Sequence, residues 1–236
     1  MTDASLEQHR RRLLSLYQTA LRRVNGERAV EHYLNANPLQ GEWAVIAIGK
    51  AAPAMAMGAQ RHLGGRLHSG LVITKYGHAD PRLYTGNWRQ LESGHPLPDE
   101  NSLAAGEALL EYLAELPVDT PLLFLLSGGA SALAEALPEG AGLADLKRLN
   151  DWLLASGLGI GEMNAIRKRL SRSKGGRLVR NLRGRRCLQL LISDVPGDDV
   201  ATIGSGPLQP APEKPLPDSL PDWINQLLGA TEPAPD

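Results

Sequence analysis

Three stretches hold side chains whose types and spacing could do chemistry. In "AIGKAA", Lys50 stands directly after an apolar run. In "LLFLLSGGASAL" (122–133), Ser127, Gly128, Gly129 and Ser131 follow another such run. In "LISDVPGDDVATIGSGP", Asp194, Asp198 and Asp199 follow a third, with Ser205 and Gly206 close behind. A lysine in that position can meet a phosphate or a carboxylate, and the plain alternative is a solvated cation at a strand end. Paired glycines let backbone N–H groups approach an anion while nearby hydroxyls add donors; otherwise they make a tight turn. Carboxylates there suit magnesium coordination or proton abstraction from an alcohol, although one of Asp198 and Asp199 is expected to cap a turn or helix.

Two further stretches are less decisive. His95 in "ESGHPLPDE" lies between chain-breaking residues and is either a turn residue or a substrate contact. The segment from Arg167 to Arg186 is strongly basic and contains no acidic residue. It also lacks the aromatics that sequence-tolerant nucleic-acid sites use for stacking, so a small anion is the better partner and nucleic acid is not expected. More than half of its cations are expected to be solvated. The phosphate loop GxxxxGK[ST], the hydrolase elbow GxSxG and the dinucleotide fingerprint GxGxxG are all absent at these turns.

The elements that must position these residues alternate along the chain. Helices over about 5–24 and 26–36 precede a strand at 43–49, followed by a helix whose first turn tolerates Pro53. Strands follow at 70–75 and 88–93, then a helix at 99–116 with an Asp start, and strands at about 121–127 and 187–195. Helices over about 142–157, 160–171 and 174–182 fill the interval between the last two strands. Near-continuous apolar strands separated by helices imply an α/β fold with a mainly parallel sheet of at least five strands, covered on both faces. Ligands of such sheets sit beyond the C-terminal strand ends, where all three chemical stretches fall. From Pro207 the chain is dense in proline, with only "DWINQLL" able to form a short helix. The expected division is therefore an α/β domain over 1–208 and a tail or linker over 209–236.

Composition narrows the class further. The 236 residues carry a formal net charge of −1, so no global field draws the chain to nucleic acid. One cysteine, Cys187, excludes an internal disulfide and reads as a small buried hydrophobe. No apolar run reaches the roughly 18 residues of a membrane span, so a soluble cytoplasmic protein without membrane partners is expected. The N-terminal stripe of Leu6, Leu13, Leu16, Tyr17, Leu21 and Val24 is expected to dock on the protein's own core.

Taken in order, "AIGKAAPAMA", "LVITKYGH", "ESGHPLPDE", "LLSGGASAL", "GEMNAIRKRLSRSKGGRL" and "LISDVPGDDVATIGSGP" resemble the N-terminal domain of the glycerate 2-kinase family of the MOFRL type. Some members of that family are labelled hydroxypyruvate reductases. The resemblance implies a three-layer α/β/α sandwich of Rossmann-like topology. It also implies transfer of the ATP γ-phosphoryl group to the 2-hydroxyl of D-glycerate, with ATP and Mg2+ as cofactors. Carried over residue by residue, Lys50 and Asp194 are the expected catalytic pair. Ser127, Gly128, Gly129, Ser131, Arg167, Lys174, Gly175, Gly176, Ser205 and Gly206 are the expected nucleotide or anion contacts. His95 and Asn164 are expected at the substrate or in a turn, and Asp194, Asp198 and Asp199 at the metal. Ala130 replaces a glycine of the family loop, Arg169 a histidine, and "SGPLQPAPEKPLPD" lacks the family's SGPT and DPTT segments. The family's C-terminal domain is absent from this sequence. The chain is expected to be a glycerate 2-kinase or its N-terminal half, with a separate polypeptide one option for the missing domain and a homodimer another. The alternatives are a non-catalytic nucleotide- or sugar-acid-binding domain and, less favoured, a hydroxypyruvate reductase.

Overall fold

Six-residue runs of Val, Ile, Leu, Ala and Phe, buried on both faces, make the centre of this protein. The computed structural model describes residues 3–84, 86–210, 215–217 and 219–230. Among them lie the five strands β1 (Trp43–Ile48), β2 (Leu67–Lys75), β3 (Trp88–Ser93), β4 (Leu122–Ser127) and β5 (Cys187–Ile192). They form one sheet in the order β3-β2-β1-β4-β5, and every neighbouring pair is parallel. The expected parallel α/β architecture is present.

The helices are α1 (Asp3–Arg23), α2 (Gly26–Ala36), α3 (Ala52–Leu63), α4 (Glu100–Glu115), α5 (Ala130–Leu133), α6 (Leu143–Ala155), α7 (Ile160–Leu170), α8 (Val179–Leu182) and α9 (Asp222–Gly229). Strand alternation divides the core between two layers of them. Ala44, Ile46, Ile48, Leu122, Phe124 and Leu126 pack against Ala105, Leu109 and Leu113 of α4. Val45, Ala47, Leu123 and Leu125 pack instead on Val30 and Leu34 of α2 and Met55, Ala56 and Leu63 of α3. Helix starts follow local chemistry. Asn25 accepts the N–H groups of Glu27 and Arg28 to open α2, and Asp99 with Ser102 forms a reciprocal capping box for α4.

From β1 the chain steps through α3 to β2 and β3 on one side, then returns through α4 to β4 on the other side of β1. The order therefore reverses between β1 and β4. Ligands of open parallel sheets bind beyond the C-terminal strand ends at such a reversal, and the candidate site lies there.

Three expectations are corrected. The segment over 174–182 is helical only at α8, because Gly175 and Gly176 adopt φ of 60° and 80°, outside the helical region. The apolar stripe of α1 does not dock on the core: Leu13, Leu16 and Tyr17 are 67%, 66% and 62% exposed. The basic segment is less solvated than expected: Arg172, Arg180, Arg183 and Arg186 are exposed, four of its ten cations, while Lys174, Arg177 and Arg185 are buried. Of the proline-rich stretch, residues 211–214, 218 and 231–236 lie outside the described residues. Helix α9 within it buries Ile224 and Leu228 against Leu149 and Leu153 of α6 and Ile166 and Leu170 of α7. No helix among the described residues is long and apolar enough to cross a membrane.

Candidate functional site at the sheet switch point

The ends of β1 and β4 are laced together where the strand order reverses. Lys50 N–H donates to the Gly128 carbonyl at 3.0 Å. Ala51 N–H donates to Ser127 Oγ at 3.1 Å, and that hydroxyl in turn reaches the Ile48 carbonyl at 3.5 Å. Ser127 is buried and occupied with the backbone, so it holds the two loops in register and is not a free donor.

Gly128 and Gly129 leave room that other side chains fill. A Cβ on Gly128 would land on the Asp194 carboxylate, which reaches in from the turn after β5. A Cβ on Gly129 would come within 2.9 Å of His95 Cδ2 and 3.3 Å of Lys50 Cγ, and Gly129 has φ of 91°. The two bare Cα positions thus form the floor between Asp194, Lys50 and His95. Lys50 Nζ stands 3.9 Å from Asp194 Oδ2, with the side chains 45% and 55% exposed. A pair so open to water contributes little to stability, which leaves both groups available to a ligand.

His95 reaches this floor from the far edge of the sheet. The loop after β3 is held by Gly94 N–H donating to Asp99 Oδ1 at 3.1 Å, and by Ser93 Oγ donating to the Leu133 carbonyl at 2.7 Å. The His95–Pro96 peptide is cis. Partial burial, then the positive charges of Lys50 and Lys75, push the His95 pKa below its ordinary value, with Asp194 opposing. The net effect favours the neutral ring.

Other expected site residues lie elsewhere or have structural partners. Lys174 is buried in an ion pair with Glu135, whose other oxygen accepts from Ser171 Oγ at 2.6 Å. Its role as an anion contact gives way to that of an internal anchor. Gly175 N–H donates to the Ser205 carbonyl at 3.0 Å and Gly176 N–H to the Gly206 carbonyl at 2.8 Å. Ser205 Oγ meets Ser131 Oγ at 2.9 Å, so this lattice ends against the glycine turn. Arg167 Nε donates to Asn150 Oδ1 at 2.9 Å, tying α7 to α6, and its Nη1 donates to Asn164 Oδ1 at 3.4 Å within α7. Motif reasoning passes over Glu135, a carboxylate that only its buried partner reveals. It passes over Lys75 too, although that residue ends a strand as Lys50 nearly does.

The three aspartates do not converge. Asp199 accepts the Ala201 N–H at 3.1 Å and the Thr202 hydroxyl at 2.5 Å, a capping role, and Asp198 occupies a turn with φ of 52°. Among the described residues no group of three His, Cys, Asp or Glu side chains could hold a metal ion. The expected aspartate triad is not a shared metal site. A magnesium ion fits here only through a carboxylate such as Asp194 together with phosphate oxygens, a common arrangement for that ion.

Residues 12–217 match the family model described as a domain of unknown function, DUF4147. Over 166 residues the chain is 41% identical to the D-glycerate 2-kinase of Thermotoga maritima, covering 70% of this chain and 39% of that protein. It is 40% identical over 169 residues to the glycerate 2-kinase of Pyrococcus horikoshii, covering 72% and 37%. A putative hydroxypyruvate reductase of Agrobacterium vitis is 44% identical over 167 residues, covering 71% and 43%. The crystal structure of glycerate kinase from Thermotoga maritima superposes with a TM-score of 0.82 at 32% identity, over 94% of this chain and 55% of that one. The chain thus spans about half or less of the length of these relatives. With nearly its whole α/β region matched, it belongs to the DUF4147 family, in the part of the sequence that glycerate kinases share.

Proposed function

We propose that this chain forms one wall of a D-glycerate 2-kinase site, where the γ-phosphoryl group of ATP passes to the 2-hydroxyl of D-glycerate with magnesium. The observation that carries the reading is the Lys50–Asp194 pair standing over the bare Gly128–Gly129 floor at the switch point. Phosphoryl transfer demands positioning and charge neutralisation more than covalent chemistry, and these residues supply both. Lys50 neutralises charge on phosphate or carboxylate oxygens. Asp194 accepts a hydrogen bond from the acceptor hydroxyl and orients it, or binds the metal. The glycine floor seats the Asp194 carboxylate and the His95 ring against the backbone beside Lys50, and bound magnesium would offset the phosphate charge. The further chain of the longer relatives would close the opposite side, as part of a longer chain, a separate polypeptide or a second copy. A cytoplasmic setting with ready ATP completes the proposal.

The test is ADP release from Mg-ATP with and without D-glycerate, by this chain alone and with a C-terminal half added in trans. Glycerate-dependent ADP formation that Lys50→Ala abolishes supports the reading. Unchanged turnover in folded Lys50→Ala refutes the assignment of Lys50. Ligand binding without turnover in either mixture leaves a binding domain. NADH oxidation with hydroxypyruvate would instead favour the reductase label carried by the Agrobacterium vitis relatives.

A further inference from the structure

Lys75 is the last residue of β2, at the same sheet edge as the site. Ile48 of β1 pairs with Ile73 of β2, and Gly49 N–H donates to the Ile73 carbonyl at 3.0 Å. Lys75 lies two residues past Ile73, as Lys50 lies two past Ile48. In the next pairing Lys75 is opposite Ser93 of β3, and His95 lies two residues past Ser93. Lys50, Lys75 and His95 therefore follow three consecutive strands, each about 4.8 Å from the next, with Lys50 and Lys75 at matching positions and His95 two residues further along. The charge of Lys75 is felt at the His95 ring alongside that of Lys50.

Lys75 is half-buried, and among the described residues no hydrogen bond or ion pair engages its ammonium. Lys50, by contrast, faces Asp194. Partial desolvation of a cation without a partner is unfavourable, and a bound anion relieves it. Lys50 comes from the strand between β2 and β4, so the series begins beside Asp194 and extends away from it. A 2-hydroxy acid has the matching layout, a hydroxyl on the carbon next to its carboxylate.

We propose that Lys75 is the carboxylate-recognition residue of this site. With Lys50 and His95 it holds the carboxylate of a small hydroxy acid whose hydroxyl turns towards Asp194, and it thereby selects acids over uncharged polyols. The identity of the acid rests on the glycerate-kinase reading; the placement of the three residues does not.

The experiment is calorimetric titration of D-glycerate, D-lactate, glycerol and Mg-ATP into the chain and its Lys75→Met, Lys75→Arg and Lys147→Met variants. Lys147 is an exposed residue of α6 and serves as the control. Lys75→Met is expected to weaken D-glycerate at least tenfold and Mg-ATP less than twofold. Lys75→Arg should keep carboxylate affinity within about threefold, and glycerol should not bind. NMR of the His95 ring checks proximity: Lys75→Met should raise its titration midpoint, and Lys147→Met should not. Undiminished glycerate affinity in Lys75→Met overturns the proposal. So does selective loss of Mg-ATP, which would assign the lysine to phosphate. If the chain binds D-lactate through Lys75 but not D-glycerate, the glycerate reading falls and the carboxylate role stands. Failure of the wild type to bind any carboxylate overturns the role of Lys75.

Discussion

Lys174 separates a structural reading from a catalytic one. Its side chain and that of Glu135 are 6% and 5% exposed, so replacing the lysine leaves a carboxylate buried without its counter-charge. Breaking a buried pair from one side costs about 3–5 kcal/mol, whereas replacing both partners with apolar residues of similar size is often close to neutral. In a chain of this length about 1 kcal/mol shifts the melting temperature by roughly 2–4 °C, so Lys174→Met should melt roughly 6–20 °C lower. Lys174→Met combined with Glu135→Leu should recover much of that loss. The assay is thermal and urea unfolding followed by circular dichroism, with phosphate affinity measured below the transition. An unchanged melting temperature in Lys174→Met, joined to weakened phosphate binding, would refute the argument and restore the lysine to the ligand. The Glu135–Lys174 pair also anchors the turn whose Gly175 and Gly176 N–H groups hold Ser205 and Gly206. Instability at this pair should therefore reach the glycine turn through the Ser205–Ser131 contact.

Other perturbations have distinct signatures. Gly128→Ala should push the Asp194 carboxylate aside and impair ligand binding at a stability cost below about 1 kcal/mol, because the displaced group is the end of an exposed side chain. Gly129→Ala, forced to hold φ of 91°, should in addition lose about 1–2 kcal/mol; equal urea midpoints for the two variants would contradict this. The folded-state pKa of His95 is depressed, so its stability contribution is present above the ordinary value of 6.5 and is lost as pH falls through the folded value. His95→Asn should therefore flatten the acid side of the stability curve below about pH 6.5, and an unchanged acid limb would count against it. Leu228→Ala should cost about 2–5 kcal/mol within the single cooperative transition, because α9 packs on α6 and α7; an unchanged urea midpoint would contradict this.

Much of the fold is legible because it rests on long apolar runs. β1 and β4 are continuous stretches of aliphatic residues, and their flanking helices carry Asn25 and Asp99 as start signals. The weak points have physical causes. A basic, helix-like composition over 174–182 does not reveal that two glycines with positive φ break it into a turn. The amphipathic stripe of α1 shows which face is apolar, but periodicity cannot say what covers that face. Strand-end position brings Lys50, Gly128, Gly129 and Asp194 into view, because an open parallel sheet gathers its loops at one edge. It cannot separate Lys174, which turns inward to Glu135, from a lysine that faces solvent. Nor does it reveal that His95, after an edge strand, returns across the sheet to Gly129. Both facts depend on contacts between residues far apart in the chain.

The openness of the site bears on the half-length match to its relatives. Two unit charges about 4 Å apart interact by about 1 kcal/mol in bulk water and about 4 kcal/mol at an effective dielectric of 20. Lys50 and Asp194, at 3.9 Å and roughly half exposed, sit nearer the first regime. Stabilising charge on a transferring phosphoryl group requires the second, because fixed dipoles must replace water around it. A surface that excludes solvent from the Gly128–Gly129 floor would therefore strengthen every interaction already in place without moving a residue. The crystal structure of glycerate kinase from Thermotoga maritima, of which this chain covers 55%, has further chain that could provide such a surface. This predicts an order of effects: ligands bind weakly to this chain alone, with strong salt dependence. Adding the complementary half should tighten binding and reduce the salt dependence together, as the charges become shielded from solvent. Tighter binding with the salt dependence unchanged would mean that the added half brings contacts of its own and leaves the Lys50–Asp194 wall as wet as before.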